Sequence, residues 1–404
     1  MIKRTIYLEK IIPFIDKPLI KAIVGVRRSG KTVLLTQICD IIKARGVKDE
    51  QIIYMNFESF KVVKYLNGME LYQYVIDKYN EGKENKLYLF FDEIQDVFEW
   101  EKVLASLLVD ISCDIYITGS NSKLLSGELA THIAGRHIHV NVYPFNFSEC
   151  KEYAHYLGRE ITDEALFEEY LTFGGLPQCC GLNDPHSKRA YLEDIFNTVV
   201  INDIVERNRL TDTYLLKRLI SFLLDNVGNP FSATSICKAL KGDGLQISVT
   251  TVLNYVSYVT RSLIIGQVQR YDIKGKALLT TSEKYYSADL GIRNCIKCSN
   301  TVDYSKLFEN AVYLEMLSRG YEVTVGKTGE YEIDFICHNT SGEKIYIQVA
   351  YLLSDPATVQ REFRPFEYVT DNYPKYVISA DRLDFSQNGI KHYNVIDFLL
   401  RKDK

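Results

Sequence analysis

Apolar positions in the first 145 residues alternate between two periods. Short apolar runs at 21–25, 52–57, 87–92, 114–119 and 137–143 have the length and the β-branched or aromatic content of strands. Between them, at 33–45, 69–80, 99–110 and 122–133, apolar residues recur every three or four positions, as on a helix with one buried face. Regular strand–helix alternation predicts an α/β fold built on a mainly parallel sheet. Leu87-Tyr88-Leu89-Phe90-Phe91 is apolar throughout, as a strand buried on both faces requires.

The pattern changes after residue 145. Helical spacing dominates 148–157, 163–173, 187–207 and 212–225, with Ser148 as the expected first N-cap. Gly174-Gly175-Leu176-Pro177 interrupts it. Two short helices follow, one from Ser232 to Leu240 and one capped by Ser248. A turn through Lys241-Gly242-Asp243-Gly244 joins them, and the apolar run Leu263-Ile264-Ile265 comes after. That order is the signature of a winged helix-turn-helix. The second helix carries no Lys or Arg before Arg261, so a structural spacer is as good a reading as a DNA reader. The last hundred residues return to mixed α/β character. The pattern divides the chain at 1–145, 146–230, 231–300 and 301–404: a sheet core, a helical lid, a winged-helix-like unit and a C-terminal α/β domain.

Composition narrows the class. A chain of 404 residues exceeds one typical core. Hydrophobic residues at 46% and charged residues at 25% are those of an ordinary soluble protein. No apolar run is long enough to span a bilayer. Lys3, Arg4, Glu9 and Lys10 sit where a signal peptide needs its apolar core. A cytoplasmic protein with no membrane partner is expected. The nine cysteines are scattered, and Cys295-Ile-Lys-Cys298 lacks the second pair or histidine that would complete a zinc site. The net charge of −4 hides a basic stretch, 231–300, with nine Lys and Arg against four Asp and Glu. An excess of that size suits phosphate contact, though it is modest for a nucleic-acid binder.

The chemistry sits at strand ends. Gly25-Val26-Arg27-Arg28-Ser29-Gly30-Lys31-Thr32 follows the first strand and opens the first long helix at Val33. Glycines let such a loop wrap so that successive amide N–H groups face phosphate oxygens, and the helix adds its positive dipole end. Lys31 is then expected on the β- and γ-phosphates of ATP and Thr32 on Mg²⁺. Asp92 and Glu93 end the buried strand, Asp92 as a second metal-holding group and Glu93 as the residue that polarises the attacking water. Ser120, with Asn121 behind it, ends the fourth strand as a γ-phosphate sensor or as a simple turn. Arg136, before the fifth strand, is read as stabilising transition-state charge in its own subunit or a neighbour's. Glu58 faces the γ-phosphate or caps a helix. Arg27 and Arg28 supply at least one phosphate or carboxylate contact.

The C-terminal order also resembles a known chemistry. A helix carries Glu309 and Glu315, Asp334 sits on a strand, and the next strand reads Gln348-Val349-Ala350. PD-(D/E)xK nucleases place Asp and then Glu-x-Lys in that order. Here Gln stands for Glu and Ala for Lys, so the site is expected to be broken unless another lysine, such as Lys344, replaces the missing one.

Taken together these motifs resemble AAA+-superfamily ATPases with a C-terminal domain of unknown function 4143. Ile-Thr-Gly-Ser-Asn-Ser-Lys-Leu-Leu-Ser-Gly-Glu-Leu, Ala-Gly-Arg, Phe-Gly-Gly-Leu-Pro, Lys-Tyr-Tyr-Ser-Ala-Asp-Leu-Gly-Ile-Arg-Asn and Glu-Ile-Asp-Phe carry the resemblance. It implies ATP and ADP binding, a winged-helix unit and a nuclease-like fold. The expectation is a Mg²⁺-dependent ATPase whose hydrolysis moves or assembles the C-terminal domains. Its partner would be DNA, a protein or further copies of the chain. The alternative is a nucleotide-dependent binding switch without appreciable turnover, recognising DNA or a protein through 231–404.

Overall fold

The computed structural model describes residues 2–83, 85–120, 135–242, 247–297 and 302–401. Two compact units emerge. One comprises residues 3–143 with 261–263, the other residues 144–260 and 264–404.

The first unit holds five parallel strands, β1 (Ile20–Val24), β2 (Ile52–Asn56), β3 (Leu87–Asp92), β4 (Cys113–Gly119) and β5 (His137–Asn141), in the order β2-β3-β4-β1-β5. Helices α1 (Thr5–Ile11), α2 (Lys31–Ala44), α3 (Gly68–Glu81) and α4 (Trp100–Asp110) accompany them. Alternate residues of the continuous apolar strands serve opposite faces. Ile23, Phe90, Tyr116 and Val140 pack with Tyr7 and Leu8 of α1 and with Leu34, Leu35 and Ile38 of α2. Val24, Leu89, Phe91, Ile115 and Ile117 pack with Leu71 and Val75 of α3 and with Leu104 and Leu107 of α4. Both faces are therefore covered, and the C-terminal ends of the strands are the edge where ligands bind in such sheets.

A fully buried charged pair lies within the sheet of this unit. Lys21 on β1 and Asp114 on β4 form a fully buried ion pair, and Asp114 also accepts from Tyr116 Oη at 2.8 Å and from the Asp16 amide at 2.8 Å. Removing one partner leaves the other charge desolvated. Lys21→Met is expected to cost about 3–5 kcal/mol in a urea unfolding titration. A loss below about 1 kcal/mol would show that Asp114 finds other compensation.

The second unit contains one sheet of seven strands: β6 (Ile265–Asp272), β7 (Ala277–Ser287), β8 (Glu322–Thr328), β9 (Tyr331–His338), β10 (Lys344–Val349), β11 (Lys375–Ser379) and β12 (Lys391–Asn394). Their order is β12-β11-β10-β9-β8-β6-β7. The helices Ala233–Gly242 and Val249–Arg261 precede the β6–β7 hairpin. The hairpin does not stand alone, because β6 pairs in parallel with β8. A boundary at residue 300 therefore falls inside a continuous sheet. The helical block belongs here too. Phe147, Phe167 and Leu171 share a core with Phe308, Ala311, Phe335 and Ile347. Its first helix, Phe147–Tyr156, is capped by Asn146 and not by Ser148: the Asn146 side chain accepts from the Glu149 amide at 2.9 Å, and Glu149 reaches back to the Asn146 amide. This reciprocal capping box satisfies two helix-end donors at once.

Asp289 ties this unit's motifs together. Its carboxylate caps the helix Leu290–Ile296 through the Ile292 amide at 3.0 Å and accepts from the Gly175 amide at 2.8 Å. The Gly175 carbonyl in turn accepts from the Phe145 amide at 2.7 Å. Burial pushes the Asp289 carboxyl up to about 6 despite these bonds. The folded state then binds its proton more tightly than the unfolded state between about pH 4 and pH 6, so this group's contribution falls as pH rises through that window and is flat above it. Compared with Asp289→Asn, the wild type is expected to lose roughly 1–3 kcal/mol between those limits. Parallel unfolding curves at the two pH values would show that Asp289 stays ionised throughout.

Candidate nucleotide site

β1 ends at Val24, and the loop 25–30 carries the chain into α2 at Lys31. Gly30 precedes the helix with φ +96°, a conformation that glycine adopts without steric cost. A Cβ on Gly25 would lie 2.1 Å from the Val142 carbonyl oxygen, so only glycine lets loop and neighbouring chain come this close. Lys31 Nζ donates to the Gly25 and Val26 carbonyls at 3.2 and 3.4 Å and lies 3.4 Å from Glu93 Oε1. The strand register brings the remaining groups alongside. β4 pairs Gly119 with Val24, which sets Ser120 beside the loop. β2 pairs Asn56 with Asp92.

Asp92 is fully buried. It accepts from Thr118 Oγ1 and, at 3.0 Å, from Asn56 Nδ2, and it shares a hydrogen bond with the Thr32 side chain. Burial pushes its carboxyl up and the neighbouring charge of Glu93 adds to this, while Thr118, Thr32 and Lys31 pull it back. A second cation near Asp92 would relieve that imbalance. Glu93 adopts φ +55°, unusual for a residue with a side chain, and its amide is held by Thr118 Oγ1 at 2.9 Å. Strain of this kind is retained where the surroundings over-determine it. Burial opposes ionisation of Glu93, but Lys31, a 2.7 Å hydrogen bond from Gln95 and the charge of Arg27 outweigh it and set its carboxyl below the ordinary value. Glu93 is therefore a carboxylate at neutral pH, able to accept from water.

The sequence-predicted residues divide as follows. Val26, Ser29, Lys31, Asp92, Glu93 and Ser120 are buried around one strand edge, with Thr32 on Asp92. Val33 lies half-buried in the first turn of α2. Arg27 pairs with Glu58 at 3.0 Å, so Glu58 is a partner of the loop and not a helix cap. Arg28 is exposed. Asn121 lies outside the described residues, as does Cys298. Arg136 departs from expectation. Its carbonyl accepts from the Ile20 amide at 2.9 Å, so it stands level with the start of β1. Five residues of strand place it roughly 15 Å from the loop, at the opposite edge of the sheet. Parallel pairing makes this unavoidable, and the in-subunit role is set aside. Thr118, Asn56 and Gln95 were not singled out from sequence, nor was Arg4, which bonds the Ser29 carbonyl at 2.8 Å.

Two buried hydroxyls test the fit of a nucleotide. Ser29 Oγ and Ser120 Oγ have no hydrogen-bond partner among the described residues. Buried polar atoms are ordinarily paired, and both border the loop. A phosphate group supplies the acceptors they lack.

The C-terminal carboxylates form a different arrangement. Lys284 on β7 lies 2.6 Å from Glu332 and 3.6 Å from Glu309, and Tyr286 Oη donates to Glu309 at 2.6 Å. Burial lowers Lys284, but Glu309, Asp334 and Glu332 outweigh it and keep the ammonium charged. Asp334 accepts from the Val349 amide at 2.9 Å and is pushed well up by burial and by Glu309. Gln348 is engaged with Glu362 at 2.9 Å. Lys344 does not restore the missing lysine. It pairs with Asp371 at 3.3 Å, four residues back along β10 from Gln348. Among the described residues no group of three or more His, Cys, Asp and Glu side chains is placed to hold a metal ion. None of the described helices is long and apolar enough to cross a membrane.

The five-stranded parallel sheet, with the glycine loop after β1 and the acid pair at the end of β3 on the far side of β4, gives the first unit a P-loop α/β architecture, and a family profile described as AAA domain matches residues 17–151. The chain belongs to one family with an uncharacterized protein of Haemophilus influenzae, to which it is 36% identical over 402 residues, 99% of each chain. An uncharacterized protein of Methanocaldococcus jannaschii is 29% identical over 395 residues, covering 94% of this chain and 85% of that one. The profile matching residues 164–303 is described as Domain of unknown function (DUF8612), not as the domain 4143 that the C-terminal motifs resemble. The crystal structure of Cdc6p from Pyrobaculum aerophilum is similar at 11% identity, covering 72% of this chain and 91% of that one, with a TM-score of 0.31.

Proposed function

We propose that the chain is a Mg²⁺-dependent ATPase. The observation that carries this reading is the convergence of Lys31, Thr32, Asp92 and Glu93 on one sheet edge beside two buried hydroxyls that have no partner among the described residues. Lys31 and the loop amides bind the β- and γ-phosphates. Thr32 and Asp92 hold Mg²⁺, which when bound neutralises phosphate charge and acts as a Lewis acid. Glu93, ionised and held by Thr118, accepts a hydrogen bond from the attacking water and orients it. Ser120 reads the γ-phosphate. Arg136, at the far edge of its own sheet, is assigned to the nucleotide site of a neighbouring copy.

The second unit is the recipient of the work, through movement or assembly, with DNA or a protein as its partner. Its likeness to the domain of unknown function 4143 and to nucleases rests on sequence motifs. Nuclease chemistry is not assigned to it, because Ala350 supplies no amine and Lys284 already neutralises the carboxylates. Phosphate release from ATP by the purified chain with Mg²⁺ tests the reading. Mg²⁺-dependent release supports it. ATP binding without release would favour the nucleotide-dependent switch instead, and absence of both would overturn the nucleotide reading.

A further inference from the structure

Arg4 belongs to none of the motifs, yet it is 1% exposed in the unit that holds the phosphate loop. Nη1 donates to the Ser29 carbonyl at 2.8 Å and Nη2 to the Tyr143 carbonyl at 2.8 Å. The guanidinium lies 4.6 Å over the Tyr7 ring. Tyr7 Oη accepts from the Tyr143 amide at 3.2 Å, and Gln37 of α2 accepts from the Arg4 amide at 3.1 Å. One planar cation thus ties together the phosphate loop, the start of α1 and residue 143, the last of the core unit's main segment. A phosphate cradle needs its amide N–H groups turned inward. Carbonyls turned away from the ligand into a buried environment then need donors of their own. Arg4 supplies that donor at Ser29, and its rigid planar fork reaches a second carbonyl at the same time, in a fixed geometry that a lysine ammonium on its flexible stem does not impose.

We propose that Arg4 is a positioning residue for the nucleotide. It holds the Ser29 carbonyl outward so that the Ser29 hydroxyl and the loop amides face the phosphates, and it locks the loop to the segment by which the chain leaves the core. This rests on the ATP-binding reading above. The test is the ATP Kd, measured by calorimetry at low temperature with Mg²⁺, for the wild type, Arg4→Met, Arg4→Lys and Lys21→Met. Circular dichroism checks that each variant is folded. Lys21→Met is the control for stability, because Lys21 pairs with Asp114 far from the loop. Arg4→Met is expected to raise Kd about 10–100-fold, as for the loss of a charge-assisted hydrogen bond. Arg4→Lys is expected to recover part of that loss, and Lys21→Met to leave Kd within twofold of wild type. If Arg4→Met does not fold, a Kd for folded Arg4→Lys at least fivefold above wild type carries the proposal. Either folded Arg4 variant binding within twofold of wild type overturns it, as does an equal loss in Lys21→Met. A wild type that binds no ATP overturns the nucleotide reading itself, and the role of Arg4 falls with it.

Discussion

Glu93→Gln lowers steady-state ATP turnover by about 100-fold or more while ATP stays bound. The substitution keeps the shape of the side chain and removes its charge. At present that charge accepts from Gln95 and faces Lys31 at 3.4 Å. Gln can still accept a hydrogen bond from water, but as a neutral amide it is a far weaker base, and loss of a positioned base commonly costs 10²–10⁴ in rate. Binding follows the opposite logic. Lys31 loses an internal counter-charge and is freed for phosphate, so the Kd for ATP stays level or falls. Phosphate release and calorimetry on the same preparation separate the two effects. Unchanged turnover would remove Glu93 from the mechanism. Equal losses of turnover and of binding would mean that the charge serves the fold of the loop.

Lys31→Ala is expected to weaken ATP binding by about 100-fold, close to 3 kcal/mol at the upper end for a charged hydrogen bond. Lys31 is 4% exposed and bonds only loop carbonyls and Glu93 among the contacts described. Its removal leaves Glu93 buried without its main counter-charge. The variant should therefore also lose stability as pH rises, because an ionised Glu93 is now penalised by burial. Fluorescent-nucleotide titration measures the affinity. A Kd within a few-fold of wild type would mean that the phosphates bind elsewhere.

The parts of this site that were legible in the sequence are those made of neighbouring residues. A glycine loop between a strand and a helix, and two acids after five apolar residues, are local patterns with a direct physical meaning. Thr118, Asn56 and Arg4 were not legible, because each matters only through strand register or a contact far along the chain. Thr118 reaches Asp92 across 26 positions, and Arg4 reaches Tyr143 across 139. For Arg136, the choice between its own subunit and a neighbour's was open to argument from strand direction. The residue precedes a strand parallel to the one that ends in the loop, and the start of such a strand lies at the wrong edge of the sheet. In the second unit, the replacement of Lys344 by Lys284 as the cation of the carboxylate cluster depends on β7 joining the sheet beyond β6. Spacing along β10 could not reveal that.

The central claim is that the loop at 25–32 binds Mg²⁺·ATP. The most direct measurement is calorimetric titration of ATP into the full chain with Mg²⁺, repeated without Mg²⁺ and with Lys31→Ala. The account predicts one nucleotide bound per chain, weaker binding without Mg²⁺ and about 100-fold weaker binding in the variant. Wild type and variant binding ATP alike, or neither binding it, would contradict the claim.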